Sequence, residues 1–136
     1  MKKILFIATR NPYSGRFSGD VIGSLKIINF LRKRYQIDVI TLRDKKFNSK
    51  KKVIFFKQPN YILKIFYVFC SLLKCEPLQF GIFLSKEMKK HIEQNAKRYD
   101  LLYFYHIRSS QYLPDNYNGK TIIEMGDLYS ANYFQT

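Results

Sequence analysis

The chain has 136 residues, 46% of them hydrophobic, with 24 basic against 10 acidic side chains and a formal net charge of +14. That length suits one globular domain, which buries about two-thirds of its unfolded surface and so needs no disulfide or metal to hold a core. Such a charge favours nucleic acid, anionic lipid or phosphorylated ligands, but no zinc-finger spacing, RNP-type motif or basic-region heptad is present, which argues against a nucleic-acid partner.

Lys3 to Ala8 (KILFIA) is an apolar run without alternation, as expected of a strand covered on both faces. Met1-Lys2-Lys3 is basic like the start of a signal peptide, yet this run is too short for one and meets Thr9-Arg10-Asn11 at once; a cytoplasmic protein is expected. A loop over 9–19 carries Pro12, Gly15, Ser18 and Gly19. Asp20 to Tyr35 then reads as a helix, with Val21, Ile22, Leu25, Ile28, Leu31 and Tyr35 at three- and four-residue steps and Arg32, Lys33 and Arg34 near its negative end. Asp38 to Leu42 (DVITL) is the second strand, parallel to the first.

Arg43 to Lys52 is a lysine-rich loop that, with Lys57, offers either a solvated stretch or an anion-binding surface, and Val53 to Phe56 is a short peripheral strand. Tyr61 to Lys74 is the most apolar segment, a helix whose hydrophobic residues cover most of its circumference. It is too short to span a bilayer, so a buried core helix is expected in preference to an interfacial one. Cys70 and Cys75 lie about 7.5 Å apart along such a helix, too far for an unstrained bridge, and are expected as reduced, buried thiols.

Pro77 to Leu84 reads as an irregular extended piece. Ser85 caps a helix running to about Lys97, with Met88, Ile92 and Ala96 inward. Leu101 to Tyr105 (LLYFY) and Lys120 to Met125 (KTIIEM) are further strands, and Asp127 to Ser130 begins a last helix. Strands and helices alternate, so the expected fold is an α/β, doubly wound, mostly parallel sheet. The first strand should lie centrally, between Asp38–Leu42 and Leu101–Tyr105, with Lys120–Met125 outside the latter.

Ligands of such sheets bind beyond the carboxyl ends of the strands, where strand order reverses. That rule collects Thr9, Arg10, Asn11, Gly15, Gly19 and Asp20 after the first strand, His106, Arg108, Ser109 and Ser110 after Leu101–Tyr105, and Glu124, Gly126, Asp127 and Ser130 at the last. The loop Gly15-Arg16-Phe17-Ser18-Gly19 is neither GxGxxG nor a Walker A loop. It leaves a glycine before helix N–H groups that favour phosphate or carboxylate, or glycines that serve turn geometry alone. His106 is a general base, a donor to a sugar hydroxyl or a structural residue; Asp127 is first of all a helix cap. No metal-ligand spacing surrounds His106 or His91, and neither a metal nor a cofactor is expected.

The segments ILFIATRNPYSGRFSGD, DVITL, EPLQFGIF, YDLLYFYHIRSSQYL and IIEMGDLYS, in this order, resemble the N-terminal domain of group 1 glycosyltransferases of the GT-B fold, nearest those that build bacterial polysaccharides and glycolipids. The resemblance implies a Rossmann-like half of a GT-B fold over residues 1–136. This half would bind a saccharide or lipid-linked acceptor, while a donor domain for the nucleotide sugar is expected beyond Thr136. It further implies Gly15, Gly19 and Asp20 at the cleft near donor phosphate or acceptor, His106 against the transferred sugar, Arg108 on the acceptor side, and Asp127 with Ser130 lining the cleft. Arg10, from its strand-end place, is expected to bind acceptor or phosphate. The family's paired glycines are reduced here to Gly19 preceded by Ser18. Alone, such a half is expected to be inactive. The competing expectation is a non-catalytic module that binds a protein partner or an anionic membrane, on the inner face of the membrane, through its basic face.

Overall fold

A computed structural model describes residues 1–43 and 53–125. The lysine-rich stretch 44–52 and the expected last helix, with Gly126, Asp127 and Ser130, lie outside the described residues.

Five strands, β1 (Lys3–Ala8), β2 (Gln36–Leu42), β3 (Val53–Phe56), β4 (Leu101–Tyr105) and β5 (Lys120–Glu124), form one sheet in the order β3-β2-β1-β4-β5. Every pairing is parallel; Phe6 faces Val39 on one side and Tyr103 on the other. The order is the expected one, with β1 central and the reversal falling between β1 and β4. β1 is buried from Ile4 to Ala8 because both its faces are covered, so its apolar residues need no alternation.

Helix α1 (Gly19–Leu31) covers one face, where Ile28, Leu25 and Leu31 pack on Ile4, Phe6, Ala8, Ile37, Val39 and Tyr105. The Phe6 ring stacks between Tyr103 and Tyr105 at 5.0 and 5.8 Å. On the opposite face α4 (Lys86–Asn95) and the 3-10 turn after it set Met88, Ile92 and Ala96 against Leu5, Ile7, Ile40, Leu42, Leu102 and Phe104. Ser85 caps α4 as the sequence implies, its Oγ accepting from the Met88 N–H. Helices on both faces of a parallel sheet make the fold doubly wound and Rossmann-like.

Three local expectations are corrected. Helix α2 (Tyr61–Leu73) has the expected span, but it is not a core helix: Ser71 is its one buried residue. Its inward face is narrow because it meets mainly α3 (Leu78–Ile82), a short helix where an extended piece was expected. The interior Gly81 of α3 is the reason, since it lets the two backbones approach so closely that a Cβ there would stand 2.6 Å from the Val68 backbone. The cysteines are free but not both buried; Cys70 is half-buried and Cys75 exposed. Cys75 adopts φ 54° just past α2. There the Cys75 N–H reaches the Leu72 carbonyl and the Glu76 N–H the Ser71 carbonyl, a Schellman ending that turns the chain outward.

Candidate functional site at the carboxyl ends of β1 and β4

The loop after β1 begins with an Asx turn in which the Tyr13 N–H donates to Asn11 Oδ1 at 3.0 Å. Gly15, at φ 69°, supplies the left-handed turn that returns the chain to Ser18 and the start of α1. Ser18 occupies the cap position without capping by its side chain, so the first N–H groups of α1 are left to other partners. Gly19 has neither positive φ nor a neighbour that a Cβ would meet, so the chain itself does not demand a glycine there.

Asp20, in the first turn of α1, gathers the cations of both strand ends. Its Oδ2 accepts from Arg10 Nη1 at 3.2 Å and from Arg108 Nη2 at 2.9 Å, and its Oδ1 lies 3.4 Å from His106 Nε2. Burial pushes the Asp20 carboxyl up, but the Arg108 hydrogen bond and the charges of His106, Arg108 and Arg10 outweigh it and hold it below the ordinary carboxylate range. Two guanidinium groups against one carboxylate leave this rim electropositive.

Arg108 is fixed on three sides. Its Nε donates to Thr9 Oγ1 at 2.6 Å, its Nη2 to Asp20, and its guanidinium lies 5.0 Å over the Phe83 ring at the end of α3. It therefore organises the rim more than it reaches outward. Arg10 is half-exposed and has N–H groups to spare.

His106 is set in the rim by an unusual backbone, φ 68° and ψ 150°, at the start of the 3-10 segment Ile107–Tyr112. Ser109, whose Oγ donates to the Tyr105 and His106 carbonyls, ties this turn from beneath. The His106 ring meets Tyr105 edge-on at 4.5 Å, and its Nε2 is buried without a hydrogen bond despite the nearby Asp20. Tyr105, in turn, has its hydroxyl pressed against α1 at Gly23, and burial, with the charges of Glu124 and Asp20, pushes its phenol up to about 12.

A cavity of about 340 Å³ opens beside the Asp20 cluster, lined by Thr9, Arg10, Asn11, Ser14, Arg16 and Ser18 with Leu42 and Phe83 below. Asn11 is buried, and its Nδ2 has no partner. Cationic, amide and hydroxyl groups thus line one polar hollow over the carboxyl ends of β1 and β2, next to the Asp20 cluster at the topological switch point, where such sheets bind ligands.

The structure brings Arg10, Asp20, His106 and Arg108 together, with Gly15 in the loop beside them and Gly19 at the first residue of α1. Ser109 and Ser110 turn back to backbone carbonyls, the latter to Ile107 at 2.6 Å. The sequence reading passed over Phe83, a ring at the end of a helix that went unrecognised, and Tyr112, whose hydroxyl donates to the Phe83 carbonyl and accepts from the Ser85 N–H. Tyr112 holds Phe83 under Arg108, and nothing in the mostly polar stretch HIRSSQY after β4 marks it. Among the described residues no group of His, Cys, Asp and Glu is placed to hold a metal.

No model of a known protein family matches the chain, and neither a curated protein nor a solved structure matches it. The site rests on its own geometry.

Proposed function

We propose that this chain is the acceptor-binding half of a glycosyltransferase that moves a sugar from a nucleoside-diphosphate sugar to a polysaccharide or glycolipid acceptor. The observation that supports it most is the convergence of Arg10, Asp20, His106 and Arg108 at the ends of β1 and β4, next to a polar hollow. Sugar acceptors are rich in hydroxyls and, when lipid-linked, carry phosphate; donors from Asn11, Arg10 and Arg16 suit both.

In this reading the His106 ring contacts the reacting sugar, and Asp20, beside Nε2, orients the imidazole and the two guanidinium groups. Arg108 holds Thr9 and Asp20 in register, and Arg10 meets the acceptor. The nucleotide sugar is bound by a second, donor-binding domain across a cleft, whose donors stabilise the departing diphosphate.

Transfer from a panel of nucleoside-diphosphate sugars, assayed with this chain alone, should yield neither glycoside nor free sugar. Saccharide and lipid-linked acceptors should shift the His106 ring resonances saturably in NMR titration. Sugar transfer by the chain alone would overturn the half-enzyme assignment, and a His106 ring blind to every acceptor would overturn the acceptor assignment.

A further inference from the structure

Helix α2 presents its more hydrophobic side outward. Ile62, Ile65, Phe66, Phe69, Leu72 and Leu73 recur at helical spacing on one face, and each is between 55% and 79% exposed. The opposite face, through Tyr67, Val68 and Ser71, is the one that meets α3 and the body of the fold. An apolar stripe of this length left open on the surface marks an interaction site. Among the described residues none of the helices is long and apolar enough to cross a membrane.

The charges around the stripe identify its partner. Lys57 and Lys64 line a large hollow with Arg43 and Tyr61 at the amino end of α2. Lys74, Lys86 and Lys89 line a groove with Phe66 and Cys70 along its flank. Among the described residues, Glu87 and Glu76 are the acidic side chains in these two hollows. An apolar stripe with lysines at its amino end and along its flank complements the acyl boundary and negative headgroups of a bilayer. A second copy of this chain would instead bring the same lysines face to face. We infer that α2 docks the protein on an anionic membrane, lying in the interface with its stripe among the acyl chains and its flanking lysines on lipid phosphates. This inference does not depend on the sugar-transfer reading.

The experiment uses the protein with vesicles of phosphatidylcholine containing about a third phosphatidylglycerol, against phosphatidylcholine alone. Sedimentation should show binding to the anionic vesicles, and weaker binding both at high salt and to neutral lipid. The double variant Phe66→Ser/Phe69→Ser, altered only at exposed positions, should keep the parent far-UV spectrum and lose about tenfold or more in vesicle affinity. The chain has no tryptophan, so Phe69→Trp adds a single reporter whose emission should shift to the blue on anionic vesicles. The inference is overturned by absent vesicle binding or by binding that the double variant leaves unchanged. It is equally overturned if the Phe69→Trp protein binds without a spectral shift, which would mean attachment through lysines alone. Self-association abolished by the double variant, without vesicle binding, would assign the stripe to a second copy instead.

Discussion

His106 occupies a backbone region that glycine alone adopts readily, at a cost on the order of 1–3 kcal/mol. Strain of this kind persists where the surroundings over-determine a residue, here through Ser109 beneath the turn and Asp20 beside the ring. Asp20 is the charge on which the rim converges, and its lowered pKa has a sign that can be tested. Its ionisation contributes stability that is fully present above the ordinary carboxylate pKa and is lost as pH falls through the depressed folded value. Thermal melting of the parent and of Asp20→Asn should therefore differ by a gap that is present at about pH 5 and closes in stronger acid. A gap that persists unchanged in strong acid would contradict the ion cluster. The charged and hydroxyl residues of this rim were legible from the strand-end rule alone, whereas the backbone strain of His106 and the orphaned amide of Asn11 exist only once the chain is folded.

At the scale of elements, the central strands were readable because β1, β2 and β4 are short unbroken apolar runs bounded by polar loops. The α2–α3 pair was not. Pro77 and Gly81 carry the signals of irregular chain, yet the proline starts α3 and the glycine serves its contact with α2. Periodicity located α2 but could not say which face would be covered, since apolar residues lie nearly all round it. Two substitutions test the arrangement by melting temperature. Gly81→Ala drives a Cβ into the Val68 backbone and should destabilise by about 1–3 kcal/mol. Cys75→Gly relieves the left-handed ending of α2 and should stabilise by up to about 1 kcal/mol. Equal melting temperatures for the parent and Gly81→Ala would mean the helices do not pack as described.

For the molecule as a whole, the strand order β3-β2-β1-β4-β5 places the reversal between the two strands whose loops carry Arg10 and His106. That order follows from alternating elements and right-handed crossovers, so the location of the site could be reasoned out before its geometry was seen. What could not be reasoned out is how the two loops meet: Arg108 is 99 residues from the Thr9 hydroxyl it binds and 88 from Asp20. Composition was a poorer guide to the surface: of the basic cluster that read as a solvated loop or a basic face, Arg43 and Lys57 are among the described residues, and they border an apolar helix together with Lys64, Lys74, Lys86 and Lys89.

The replacement His106→Gly, read for turnover and melting temperature on the same protein, tests the proposed catalytic rim most directly. Glycine relieves the backbone, so the melting temperature should rise by about 3–5 °C, corresponding to about 1 kcal/mol. If His106 contacts the reacting sugar, turnover in the complete transferase should fall by about a hundredfold or more despite that gain. A more stable variant that transfers sugar at the parent rate would make the strain a structural accident and remove His106 from the chemistry.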